Sequence, residues 1–81
     1  MRLDAPKAIV KAKAILLRAQ AIHPKVAMIA FNLACYASVT GRMEEAKERL
    51  RHAIDLDKDI RRLALDDADL KPLWDWIGGL K

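Results

Sequence analysis

Small residues recur through the middle of this chain, in the stretch NLACYASVTGRMEEAKERLRHAIDLD, where a helix usually carries larger side chains. They are Ala34, Gly41, Ala46 and Ala53. A bulky side chain where two helices cross would push them beyond the roughly 8–10 Å at which ridges fit into grooves. The pattern therefore predicts a pair of helices packed closely together, and no catalytic scheme requires it.

The first helix is predicted from its flanking signals. Asp4 can cap its start, and Pro6 falls in the first turn, where the missing N–H costs nothing. The helix should run to about Ile22 and stop before Pro24. With 81 residues, only three glycines and a composition rich in Ala, Leu, Lys and Arg, the chain favours helix throughout and forms one small domain.

Four further helices follow from the same kind of signal. The second should run from Lys25 to Gly41, whose freedom to adopt the left-handed conformation suits a C-terminal cap. The third is predicted over 43–56. Asp57 and Asp69 are the expected caps of a fourth and a fifth helix. The fifth carries an apolar stripe at i, i+3, i+4 and i+7, formed by Leu70, Leu73, Trp74 and Ile77.

The first helix carries two apolar faces, although a surface helix needs only one. One face comprises Ala8, Ile9, Ala12, Ile15, Leu16, Ala19 and Ile22. The other comprises Val10, Ala14, Leu17 and Ala21. We expect the second face to pack against another copy of the chain, an upstream repeat or a partner protein. A C-terminal helix that folds back onto it is the alternative within this chain.

The sequence also repeats itself at an offset of 34 residues. The identical pairs are Ala12 with Ala46, Lys13 with Lys47, Leu16 with Leu50, and Ala19 with Ala53. Large apolar residues match between them, so the first helix is a degenerate copy of the third.

These features resemble the tetratricopeptide repeat, a 34-residue helix–turn–helix unit, in the form of a C-terminal repeat segment of a bacterial member. The resemblance rests on Leu33–Ala34, Gly41, Ala46, Leu50 and Ala53–Ile54, with Pro24 closing the preceding repeat. It implies an all-α, right-handed superhelix of about one and a half repeats within a single domain, 1–81. Residues 1–24 would be a partial repeat, 25–58 a full repeat and 59–81 a C-terminal capping segment.

The resemblance also implies a concave groove for peptides or helices, lined by the first helix of the full repeat. Its lining would comprise Met28, Phe31, Asn32, Cys35, Ser38 and Val39. Asn32 can bond a peptide backbone, since an amide both donates and accepts. Ala34 and Ala46 would face each other inside the helix pair, and Ala53 would face the following unit.

No constellation of side chains predicts a catalytic, metal or cofactor site. The single cysteine, Cys35, excludes an internal disulfide, fits a reduced compartment and is expected to be a buried structural thiol. His23 and His52 lack neighbours at metal-ligand spacing. The acidic cluster of Asp66, Asp67 and Asp69 is explained by helix capping. Trp74 belongs to the core stripe, whereas Trp76 is either half-exposed or an interface anchor.

The formal charge of +4 permits an acidic partner without requiring one. Lys7, Lys11 and Arg18 share one face of the first helix, but aromatic residues for base stacking are not interleaved with them. We therefore expect a non-catalytic protein–protein interaction module. A small nucleic-acid-binding domain and an accessory subunit of an enzyme are the alternatives.

Two further absences indicate a cytoplasmic chain. No apolar segment approaches the roughly 20 residues needed to cross a bilayer. The N-terminal stretch MRLDAPKAIVKAK lacks an apolar signal core. A fragment of a longer protein would show the same absences.

Overall fold

The structure, a computed structural model, describes residues 7–80, with side chains from residue 11 onward. Its helices are α1 (Lys7–Ile22), α2 (Ala27–Val39), α3 (Met43–Leu56), α4 (Ile60–Leu65), a 3-10 helix (Ala68–Leu73) and α5 (Trp74–Gly78). No strand occurs in this range, so the predicted all-α class is confirmed. The predicted roles of Asp4 and Pro6 lie outside the described residues.

The turn between α1 and α2 forms where proline was expected to stop the first helix. α1 ends at Ile22, two residues before Pro24. The N–H of His23 closes the helix on the Ala19 carbonyl at 2.7 Å, and the N–H of Val26 returns to the His23 carbonyl at 3.2 Å. Val26 is extended, so α2 begins at Ala27, two residues later than predicted.

Gly41 ends α2 by the predicted left-handed cap, with φ +80°. The N–H of Gly41 donates to the Ser38 carbonyl at 3.1 Å, and the N–H of Arg42 donates to the Ala37 carbonyl at 2.8 Å. This pair of bonds is the Schellman motif. It reverses the chain within three residues, so that α3 can begin at Met43, as predicted.

α2 and α3 form a helical hairpin whose buried residues include five alanines. Ala30, Ala34 and Ala37 of α2 and Ala46 and Ala53 of α3 are all at most 1% exposed. The two helices make the most extensive contact in the fold. The expectation that small residues allow a close helix pair is consistent with this burial.

The C-terminal segment differs from the prediction in two respects. The capping carboxylate is that of Asp67, which accepts from the N–H of Asp69 at 2.9 Å, so the prediction of Asp69 as the cap was wrong. In addition, a 3-10 helix precedes a short α5. Pro72 explains the division, since a proline has no N–H and disfavours the α conformation in the residue before it.

One cluster of buried side chains joins α2, α3, α4, the 3-10 helix and α5. Its members are Ala30, Phe31, Ala34, Ala37, Ala46, Leu50, Ala53, Ile60, Ala64, Leu70, Leu73 and Ile77. The predicted stripe of the fifth segment therefore faces the core. Trp74 packs at the cluster's edge, and its indole N–H donates to the Ala64 carbonyl at 2.9 Å. Leu33 of α2 is fully buried outside the cluster, and α2 also contacts α1.

We predict that Ala46→Leu lowers the free energy of unfolding by about 1–3 kcal/mol, because Ala46 is fully buried and three added carbons have no space between α2 and α3. Urea denaturation followed by circular dichroism measures this. The matched control is Arg51→Leu at an exposed position of the same helix, with a change within about 0.5 kcal/mol. Equal effects of the two variants would contradict the close packing.

We predict that Gly41→Ala costs about 1–2 kcal/mol, the price of the left-handed conformation for a residue with a Cβ. The cost is conformational, because a Cβ at Gly41 meets nothing within 4 Å. Gly78→Ala is the control: its Cβ also meets open space, and its φ is not positive. Thermal unfolding of both variants tests the prediction, which fails if Gly41→Ala is as stable as Gly78→Ala.

Candidate partner-binding surface

The outward side of α1 carries three large apolar side chains that are exposed, Ile15, Leu17 and Ile22. We call this surface the outer face of α1; it comprises Lys11, Ala14, Ile15, Leu17, Arg18, Ala21 and Ile22, all exposed. Ile15 is 68% exposed, Ile22 65% and Leu17 39%. Exposed side chains of this size in a row are uncommon unless a partner covers them.

The outer face of α1 differs in character from the equivalent face of α3, the helix that matches α1 in the internal repeat. At the 34-residue offset, Ala14, Leu17 and Ala21 correspond to the exposed residues Glu48, Arg51 and Asp55 of α3. α3 thus meets water with charged side chains at positions where α1 presents apolar ones. The apolar character of the outer face is therefore not a general property of the repeated helix.

The inward side of α1 is only partly covered. Ala12, Leu16 and Ala19 are half-buried, whereas their counterparts in α3, Ala46, Leu50 and Ala53, are fully buried. No described side chain of α1, from residue 11 to residue 22, is fully buried. The same three residue types therefore form a core in α3 and an edge in α1.

Polar side chains connect this edge to α3. The carboxylate of Glu45 lies 3.3 Å from the Lys13 ammonium and 2.8 Å from Nε of Arg49. Arg49 also donates to the side-chain oxygen of Gln20 at 3.3 Å. These bonds to Arg49 and Lys13 hold the pKa of Glu45 below its ordinary value. α1 is thus held to α3 by this charged cluster, and to α2 by a separate contact.

The candidate oligomer face is open where the structure describes it. Ala14, Leu17 and Ala21 are exposed, and the Val10 side chain lies outside the described residues. α5 packs against α4 and the 3-10 helix. The alternative that the C-terminal helix folds back onto this stripe is therefore not what the structure shows.

Ile15 and Ile22 belong to the first apolar face of the helix, but the fold leaves both of them exposed. On a helical wheel they lie at the rim of the face centred on Ala12, Leu16 and Ala19. The close approach of α2 covers only the centre of that face. The rim position was visible in the sequence, but the width of the covered strip was not.

The predicted groove lining on α2 divides into exposed and buried residues. Met28, Asn32 and Val39 are exposed, whereas Phe31 and Ser38 are only 6% and 5% exposed. Cys35 is half-buried.

The C-terminal segment explains why part of this lining is covered. The Ser38 hydroxyl donates to the Asp69 carbonyl at 2.6 Å, and the Cys35 thiol lies 3.8 Å from the Asp67 carboxylate. The 3-10 helix thus lies against α2. A groove on this face would rest on Met28, Asn32 and Val39.

The environment of Cys35 makes its thiol a poor nucleophile. Burial, together with the carboxylates of Asp67 and Asp69, raises the pKa of Cys35 to about 12. The thiol therefore stays protonated at neutral pH, and the thiolate is the reactive form. The ligand atoms of these three residues lie within 4.8 Å of one another. The hydrogen bonds that Asp67 accepts from Asp69 and Cys35 account for this cluster as a cap.

Trp76, the candidate anchor, is half-buried at the edge of the core. The ammonium of Lys47 lies 5.9 Å from its ring centroid, a cation–π arrangement. Both contacts hold the indole against the fold.

Both histidines are exposed. His52 lines an open cleft of about 400 Å³ between α1 and α3, together with Gln20, Pro24, Glu45, Glu48 and Arg49.

We predict that Glu45→Gln lowers the free energy of unfolding at pH 7 by about 0.5–1 kcal/mol, the range of partly exposed ion pairs. The pKa of Glu45 is lower in the folded chain than in the unfolded chain. Its ion pairs therefore stabilise the fold above the unfolded pKa of about 4.3, and this stabilisation is lost as the pH falls through the lower, folded pKa. The difference in stability between the two chains should therefore shrink as the pH falls below about 4.3.

Urea denaturation at pH 7 and at pH 3 measures this difference. The control is Glu44→Gln, since the Glu44 side chain is 88% exposed and contacts only Lys47 of its own helix. An effect of Glu45→Gln that is the same at both pH values would exclude the charged cluster as its cause.

None of the helices in the described range has the length and apolar character needed to cross a bilayer. Comparisons of the chain with protein-family models, with curated proteins and with solved structures found no match.

Proposed function

We propose that this chain is a non-catalytic protein–protein interaction module, built as a tetratricopeptide-like superhelix of about one and a half repeats with a C-terminal capping segment. Its partner would be a protein or peptide bound at the open end of the helix stack, on the outer face of α1. This surface is favoured over the α2 groove because Phe31 and Ser38 of that groove are buried within the fold.

Two observations support the repeat architecture. α2 and α3 form a hairpin closed by Gly41, and the residues that recur at the 34-residue offset lie on the side of each helix that faces the fold. Helical repeats bury their faces against neighbours, and stability usually needs about three of them. A chain with one and a half repeats is expected to leave one face uncovered.

The observation that carries the proposed function is the apolar outer face at that open end. Ile15 and Ile22 are about two-thirds exposed. Ala14, Leu17 and Ala21 stand where α3 presents charged residues at the equivalent positions. Burial of such side chains supplies most of the favourable free energy of protein association, at about 25 cal/mol per Å² of apolar surface.

The test is affinity capture from a lysate of the cell that expresses the protein. We expect the wild-type chain to retain a partner that the double variant Ile15→Lys/Ile22→Lys loses. Both positions are exposed, so the variant should keep the helical circular dichroism spectrum. A variant of the α2 groove such as Phe31→Glu is unsuitable for this test. Phe31 is buried, so a charge at that position would disrupt the core.

The matched control is Leu63→Lys/Leu65→Lys, which changes two exposed leucines on α4 that are 47% and 40% exposed. This variant should retain the partner. Capture that survives Ile15→Lys/Ile22→Lys, or the absence of any specific partner, would contradict the proposal.

A further inference from the structure

We propose that the outer face of α1 binds an acidic amphipathic α-helix of another protein. This inference rests on the proposed function and adds the chemistry of the partner. It depends on how charge and apolar surface are arranged on the exposed side of α1.

Two basic side chains follow the midline of the outer face. On a wheel of 100° per residue, Lys11 and Arg18 lie between an apolar line on one side and a second line on the other. The first line is Ala14, Leu17 and Ala21, and the second is Ile15 and Ile22. A partner seated across this face must therefore place its own midline opposite two cations.

The charge of this face is not balanced within α1. The helix contains no acidic residue between Lys7 and Ile22. Neither Lys11 nor Arg18 forms an ion pair with a carboxylate in the part of the chain that the structure describes. Glu45 of α3, the carboxylate that pairs with α1, is bound by Lys13 and Arg49. The outer face thus presents uncompensated positive charge to a partner.

The spacing of these residues suits a helical partner. Lys11 and Arg18 are seven residues apart, as are Ile15 and Ile22, which is about 10.5 Å along the axis at 1.5 Å per residue. Two helices that run nearly parallel or antiparallel match each other at this seven-residue interval. A peptide that binds by adding a strand needs a sheet edge, and residues 7–80 contain no strand. A helix satisfies its own backbone.

A second copy of this chain is disfavoured by the same charges. In a two-fold pairing of outer faces, Lys11 and Arg18 of one copy would face the same two residues of the other. Like charges at an interface destabilise the pairing and select against that partner. A helix with acidic residues seven apart and apolar residues on both sides would neutralise the midline and cover both apolar lines.

The experiment selects partner helices from a phage-displayed library, using the full-length chain as bait. The library holds a helical scaffold in which one exposed face of three turns varies among Glu, Lys, Gln, Leu, Ile and Ala. We expect enriched sequences to carry Glu at two positions seven residues apart, flanked by Leu or Ile. Enrichment without an acidic bias, or no enrichment, would overturn the proposal.

A synthetic peptide of the most enriched sequence then tests the site. Fluorescence anisotropy should show binding that weakens about tenfold or more for Lys11→Glu/Arg18→Glu. Replacing Glu by Lys in the peptide should restore binding to that variant and weaken binding to the wild type. The control variant is Arg51→Glu/Arg62→Glu, which changes two exposed cations on other helices. Equal affinity for all three chains would overturn the assignment of the site.

Failure of this inference can be told apart from failure of the proposed function. A lysate partner that is lost with Ile15→Lys/Ile22→Lys but kept by Lys11→Glu/Arg18→Glu would support the proposed interaction function. The same result would overturn the proposal that the partner is an acidic helix. A sedimentation coefficient of a dimer, abolished by Leu17→Lys, would overturn it in favour of a second copy. Tighter binding to a 20-nucleotide DNA than to the selected peptide would overturn it in favour of nucleic acid.

Discussion

The close contact between α2 and α3 is the constraint on which the rest of the structure depends. The two helices make the most extensive contact in the fold, and Ala34, Ala37, Ala46 and Ala53 are fully buried in them. The larger residues of the hairpin, such as Leu50 and Phe31, belong to one buried cluster with residues of α4, the 3-10 helix and α5. The C-terminal segment can therefore complete a core that two helices alone could not form.

The same hairpin determines which surfaces are available to partners. The 3-10 helix occupies one side of α2 through the bonds from Ser38 and Cys35 to the segment around Asp67. α1 covers another side of α2 incompletely. Two of the exposed surfaces are a line of α2 around Asn32 and the outer face of α1. Of these two surfaces, the outer face of α1 carries the larger apolar residues and the unbalanced charge.

Local signals predicted most of the helix boundaries, because each had a direct physical cause. Pro24 has no N–H for a continued helix, and Gly41 adopts the left-handed conformation that its sequence context indicated. The docking of the C-terminal segment was not predictable in this way. Whether Ser38 meets solvent or the Asp69 carbonyl depends on tertiary packing, and so does the capture of Glu45 by Lys13 from another helix. Among the candidate site residues, the exposed positions Ala14, Leu17 and Ala21 follow from helical periodicity, whereas the burial of Phe31 does not.

The incomplete burial of α1 has a consequence for how the chain responds to a partner. Because none of its side chains from residue 11 to residue 22 belongs to the buried cluster, we expect α1 to open locally before the hairpin and the C-terminal segment unfold. Local opening of this kind has a lower free energy than global unfolding. A ligand that covers the outer face would therefore convert α1 from a weakly attached element into part of a larger cooperative unit. Part of the intrinsic binding energy would offset the cost of ordering α1. Slower amide exchange in α1 would report this ordering.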